Sequence, residues 1–238
     1  MKTIGLIGGM SWESSLEYYR VINETVKEKL GGFHSAKSIM YSVDFKEVEK
    51  LQHQGKWEEA TRLMIDAAQR IEKAGADFIV ICTNTMHKMA GEVQKSTKIP
   101  LLHIADVTAE KIKAQGLKKV GLLGTKFTME EDFYKGRLQE KYGLEVIIPD
   151  EEERQVIHQI LYDELCLGEI KKLSKDKFKK IIGHLVAKGA EGIILGCTEI
   201  PLLVDQEDYD IPLFDTTRIH AKAAVEYALG EDHICQRS

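Results

Sequence analysis

Two short segments carry the residue types that move protons: Cys82-Thr83-Asn84-Thr85 and Gly196-Cys197-Thr198-Glu199. A thiol, with an ordinary pKa near about 8.5, suits taking a proton from carbon and returning one. Hydroxyl and amide groups beside it suit a substrate carboxylate and the enolate-like charge left when a Cα proton departs. Cys197 precedes Thr198-Glu199-Ile200, which reads as the start of a helical turn, so backbone amides and the helix dipole are expected to favour its thiolate. Cys197 is therefore the leading acid/base candidate. Strand alternation turns Cys82 away from Thr83 and into sheet packing. Gly5-x-x-Gly8-Gly9 fits neither GxGxxG nor GxxxxGK[ST], so it makes a poor phosphate cradle. His87 lies one turn past Thr85 and suits either the site or helix packing. His53, His103, His158 and His220 lack ligand spacing, and no metal site is expected.

Both segments follow apolar runs that read as strands. Strands are expected at 3–7, 38–43, 77–82, 101–104, 119–123, 144–148, 191–195 and 213–214. Helices are expected at 14–30, 57–74, 84–94, 107–115, 129–142, 152–167, 176–187 and 216–229. Ser14-Ser15-Leu16-Glu17 has the pattern of a capping box, and Leu16, Tyr19, Ile22 and Val26 recur at helical spacing. Asp215 is placed to cap the last helix. Strands alternating with long helices predict an α/β fold with parallel sheets.

The two halves match at three collinear places. Thr3-Ile4-Gly5-Leu6-Ile7-Gly8-Gly9 aligns with Lys119-Val120-Gly121-Leu122-Leu123-Gly124-Thr125. Gly75-Ala76-Asp77-Phe78-Ile79-Val80-Ile81 aligns with Gly189-Ala190-Glu191-Gly192-Ile193-Ile194-Leu195, and Ile99-Pro100-Leu101 with Ile211-Pro212-Leu213. An internal duplication follows. It predicts two similar α/β domains related by pseudo-two-fold symmetry, with an active site in the cleft between them and ligands beyond the carboxyl ends of strands. The domains are expected at 1–100 plus about 208–238, and at 101–207. Extending the alignment without a gap sets Cys82 on Gly196, Thr83 on Cys197, Asn84 on Thr198 and Thr85 on Glu199. Thr83, not Cys82, is thus the counterpart of Cys197. Opposed proton-active groups of this kind suit two-base racemisation or epimerisation.

Composition narrows the classes. The chain has 238 residues, 43% of them hydrophobic and 30% charged, which excludes a mainly disordered protein. The net charge of −5 includes no basic block, so no nucleic-acid partner is expected. The apolar runs at 78–82 and 192–197 are too short to span a bilayer, and the N-terminus reads as a strand rather than a leader. A cytoplasmic location is the default. Cys82, Cys166, Cys197 and Cys235 form no CxxC pair and are expected as thiols, with Cys166 a buried apolar-like residue and Cys235 incidental in a polar tail.

Gly8-Gly9-Met10-Ser11-Trp12, Cys82-Thr83-Asn84-Thr85-Met86-His87 and Gly196-Cys197-Thr198-Glu199 resemble the aspartate/glutamate racemase family. The likeness reaches about residue 229 and is strongest to the bacterial L-aspartate/glutamate-specific, or broad-specificity, branch. It implies a cofactor-independent amino-acid racemase, a small-molecule amino-acid substrate and a homodimer. It also implies that Met10, Gln52, Thr83, Asn84, Thr85, Thr198 and Glu199 line the substrate site, with Cys197 and Thr83 as the catalytic pair. The family's usual first motif is Cys-Asn-Thr; here threonine stands where that cysteine is expected. Gln52 falls in a loop region where aspartate racemases of the family offer an arginine, which weakens a strict aspartate preference. A lyase or cis–trans isomerase of a small dicarboxylate using Cys197 alone, and a non-catalytic amino-acid-binding protein, are the alternatives.

Overall fold

The structure is a computed structural model that describes residues 1–231; Cys235 lies outside the described residues. The first half runs β1 (Ile4–Gly8), α1 (Trp12–Leu30), β2 (Ser38–Ser42), α2 (Phe45–His53), α3 (Trp57–Lys73) and β3 (Phe78–Ile81). A 3-10 turn at Thr85–Met89 then enters α4 (Ala90–Ser96), followed by β4 (Leu101–Leu102) and α5 (Ile104–Ala114). The second half runs β5 (Lys119–Gly124), α6 (Lys126–Glu130), α7 (Asp132–Tyr142), β6 (Glu145–Ile147), α8 (Glu151–Asp163) and a 3-10 turn at Leu165–Leu167. It ends with α9 (Lys172–Ala187), β7 (Gly192–Gly196), 3-10 turns at Ile200–Leu202 and Gln206–Asp208, β8 (Leu213–Asp215) and α10 (Thr216–Leu229).

The strands form two four-stranded parallel sheets, ordered β2-β1-β3-β4 and β6-β5-β7-β8. β1, β3 and β7 are buried at every position, as strands covered on both faces must be. Ile, Leu, Val and Phe, interrupted only by glycine, supply that burial, whereas the edge strand β2 is half-exposed.

The registers of the two sheets reproduce the internal alignment. Ile7 pairs with Ile81 as Leu123 pairs with Leu195, and Ile79 pairs with Leu101 as Ile193 pairs with Leu213. Gly124 pairs with Gly196, one step past Leu195. Counted from these pairs, Cys82 corresponds to Gly196 and Thr83 to Cys197.

The chain divides into two compact units: Met1–Ile104 with the segment from His220 onward, and Ala105–Ile219. The return to the first unit comes later than the expected position near 208. The reason is β8, which bonds to β7 and keeps Leu213–Asp215 in the second sheet.

Three local expectations change. Helix α1 starts at Trp12, and its cap is Ser11, whose Oγ accepts the Ser14 N–H; Ser14 does not cap. Its buried stripe is Ser14, Ser15, Tyr18, Val21, Ile22, Thr25 and Val26, while Leu16 and Tyr19 are exposed. The stretch expected as one helix over 129–142 is two, broken where Glu131 adopts an extended conformation. Helix α2 has no counterpart in the sequence reading because only Val48 and Gln52 of its nine residues are buried, too few for a visible period.

Candidate active site

In the first unit, the loop after β1 is held by α1. Ser15 Oγ accepts the Gly9 N–H at 2.7 Å and donates to the Ser11 carbonyl at 2.9 Å. Gly9 has φ +90°, and any Cβ there would strike the Val43 carbonyl, so only glycine fits. Met10 is buried in a core cluster that also contains Val48, Ile81 and Met86. Gln52, expected in a loop, is a buried residue of α2; its Nε2 donates to Met86 Sδ at 3.1 Å. Met10 and Gln52 thus share the surroundings of Met86, next to Thr85.

The loop after β3 presents Thr83 half-buried, with Asn84 and Thr85 buried. Cys82 is fully buried, its Sγ 3.9 Å from the Val80 carbonyl, and burial pushes its thiol far above the ordinary range. His87 is buried and bonded to backbone on both ring nitrogens: Nδ1–H donates to the Thr83 carbonyl at 2.8 Å and Nε2 accepts the Ile104 N–H at 3.2 Å. His220 brackets the same strand end. Its Nε2–H donates to the Leu102 carbonyl at 2.9 Å, its Nδ1 accepts from Tyr18 Oη at 2.9 Å, and burial pushes its pKa down to about 4.

In the second unit, β7 delivers Gly196-Cys197-Thr198-Glu199. A Cβ at Gly196 would lie 2.6 Å from the Leu123 carbonyl, so the strand end packs directly on backbone. Cys197 Sγ donates to Glu199 Oε2 at 3.0 Å, and Thr198 Oγ1 donates to the same oxygen at 2.7 Å. Cys197 and Glu199 are buried, with Thr198 half-buried.

The surroundings of Cys197 oppose the thiolate that the sequence led one to expect. Burial pushes the Cys197 thiol well above its ordinary value, and the Glu199 carboxylate and Cys166 push it the same way. The Glu199 backbone N–H pulls in the expected direction but is the weakest influence. The following turn is only a three-residue 3-10 helix at Ile200–Leu202, too short to build an effective dipole. Cys197 therefore rests as a thiol with a proton acceptor in contact. Cys166, expected to be buried, is half-buried in its 3-10 turn.

The sequence profile of the Asp/Glu/hydantoin racemases matches residues 7–224. The chain belongs to that family. A curated member, the broad-specificity amino-acid racemase RacX of Bacillus subtilis, is 30% identical over 171 residues, spanning 71% of this chain and 72% of its own. A crystal structure from Yersinia pestis, whose description proposes an Asp/Glu racemase, is 57% identical, with TM-score 0.90 over 96% of this chain and 100% of that one. An aspartate racemase homologue from Pyrococcus horikoshii is 40% identical, with TM-score 0.83 over 96% and 100% of the two chains.

Within this racemase-family chain, sequence reasoning placed Glu199 among substrate-lining residues and missed its bond to Cys197. The two-residue spacing along an irregular segment carries no periodic signal. The role of His87 toward Thr83 was equally invisible, since it depends on a 3-10 rather than an α-helical turn. Among the described residues, no helix is long and apolar enough to cross a membrane.

Proposed function

We propose that the protein is a cofactor-independent amino-acid racemase acting on aspartate, glutamate or a broader set of amino acids by two-base proton transfer at Cα. The observation that carries the reading is the Cys197–Glu199 contact of 3.0 Å at the strand end whose register counterpart is Thr83. Glu199 Oε2 takes the thiol proton, and the resulting thiolate removes the Cα proton. Hydroxyl and amide groups of Asn84, Thr85 and Thr198 hold the substrate carboxylate and the enolate-like charge, which then costs less to form. The Thr83 hydroxyl returns a proton to the opposite face, directly or through water, and recovers its own from solvent, while Glu199 gives up the thiol's proton to solvent and so resets the site. Met10 and Gln52 border the substrate side chain in this reading. Gln52 is neutral and already bonded to Met86, which supports a preference broader than aspartate. The working protein is a cytoplasmic homodimer, checked by light scattering.

The test is a screen of all twenty amino acids in deuterated water, read by NMR and chiral chromatography. Deuterium at Cα together with the opposite enantiomer is the expected result, in protein that shows no Schiff-base absorbance. Deuterium-free recovery of every amino acid sinks the racemase and leaves the binding protein or the dicarboxylate enzyme. Turnover only with dicarboxylates and without inversion points to the lyase or cis–trans isomerase.

A further inference from the structure

We infer that His87 is a positioning residue for Thr83, holding the Thr83–Asn84 peptide in the one orientation that lets the Thr83 face of the site work; this rests on the racemase reading above. In an α-helical turn the N–H of residue 87 would bond to the carbonyl of residue 83. Here that N–H bonds to the Asn84 carbonyl at 3.1 Å, as a 3-10 turn requires. The Thr83 carbonyl is taken by the His87 ring at 2.8 Å. A side chain thus replaces a main-chain bond at the residue before the turn.

The ring is fixed from its other end. A carbonyl only accepts and an N–H only donates, so the two bonds together define one neutral tautomer, with the proton on Nδ1 and the lone pair on Nε2. Ile104, which supplies the second bond, begins α5 just beyond β4, and His220 holds the Leu102 carbonyl two residues before it. The anchor is therefore the end of a strand rather than a surface loop. A peptide is planar, so fixing the Thr83 carbonyl also fixes the direction of the Asn84 N–H. One imidazole sets both the backbone that carries the Thr83 hydroxyl and an amide of the substrate-binding segment. Phenylalanine or leucine at residue 87 fills the space but supplies neither bond.

The experiment compares His87→Leu and His87→Gln with the unaltered protein on L- and D-aspartate and L- and D-glutamate, and on any better substrate from the amino-acid screen, in deuterated water. Two rates are read for each enantiomer: Cα deuteration with retention and conversion to the opposite enantiomer. Cys197 can remove and return a proton on its own face without Thr83. His87→Leu is therefore expected to lose inversion by about tenfold or more beyond any loss of exchange in the enantiomer that Cys197 deprotonates, because a small misplacement of a reacting group is costly. His87→Gln keeps one donor and one acceptor and is expected to recover inversion to within about threefold of the unaltered protein, since it restores the positioning. Nitrogen-15 NMR of the unaltered protein should show His87 protonated on Nδ1.

Equal loss of exchange and inversion in folded His87→Leu, or no loss of either, overturns the inference, as does an Nε2–H tautomer. If His87→Leu does not fold, His87→Phe, which also supplies neither bond, is read in its place: inversion lost beyond exchange supports the inference and equal losses overturn it. Absence of Cα exchange in the unaltered protein instead overturns the racemase reading, and this inference with it.

Discussion

After β7 the reactive side chain is a thiol with a carboxylate oxygen 3.0 Å away; after β3 the same register position holds a hydroxyl, and the histidine one turn on is spent on backbone. In the first loop a neighbouring carboxylate stands as a proton acceptor for the thiol. In the second loop the bond from His87 fixes the backbone that carries the hydroxyl, a far weaker acid than a thiol. The two strand ends keep one register, while the side chains that follow them differ. The glycine and the cysteine at corresponding positions reflect this. Gly196 is pressed against backbone where no Cβ fits, whereas Cys82 has room for a thiol buried against Val80.

The largest expected effect tests the thiol. Cys197→Ala removes the thiol that has a carboxylate acceptor in contact, and turnover should fall about 10²- to 10⁴-fold with circular dichroism unchanged. Near-normal turnover in the folded variant ends the two-base proposal.

Thr83 comes next. Thr83→Ala should cost about 10- to 100-fold in inversion while sparing exchange on the Cys197 face, because only the opposite proton transfer is affected. Thr83→Cys should be active and faster in whichever direction is slower. The enantiomers have equal free energy in water, so kcat/KM must remain equal in the two directions and the change must appear in kcat and KM together. If Thr83→Ala is unaffected while folded Cys82→Ala is dead, the second group is Cys82 and the register correspondence does not carry the chemistry.

The third prediction concerns the sign of the Cys197 shift. Burial and the Glu199 charge both disfavour the thiolate, so alkylation of Cys197 by iodoacetamide should climb with pH only above the ordinary thiol range. Glu199→Gln removes the charge that raises the pKa, so the inflection should move to lower pH and alkylation at neutral pH should rise about tenfold for each pKa unit recovered. An inflection unmoved, or moved upward, contradicts the coupling between the two side chains.

The smallest effect belongs to Cys82. Cys82→Ala should keep most activity and lose on the order of 1 kcal/mol of stability, read from urea unfolding. Its thiol is fully buried just past β3, against the Val80 carbonyl, so its contribution is packing.

The repeat of glycine-ended apolar runs specified parallel α/β sheets, and its spacing alone made Thr83 the counterpart of Cys197. Burial on both faces demands unbroken hydrophobic strands, and a strand has one residue per register step, so both facts are written locally. The sequence likewise singled out Cys197, because a thiol just past a strand end has few structural duties. What it could not contain was the state of that thiol. The shift depends on burial and on a carboxylate whose rotamer reaches Sγ along an irregular segment. The place of β8 beside β7 was legible in the match of Ile211-Pro212-Leu213 with Ile99-Pro100-Leu101, although the expected boundary near 208 did not use it. The His87 bridge is the clearest case of tertiary decision. Its two bonds reach a residue four positions back and another seventeen ahead, and only a 3-10 turn at a particular strand end leaves both within reach of one imidazole.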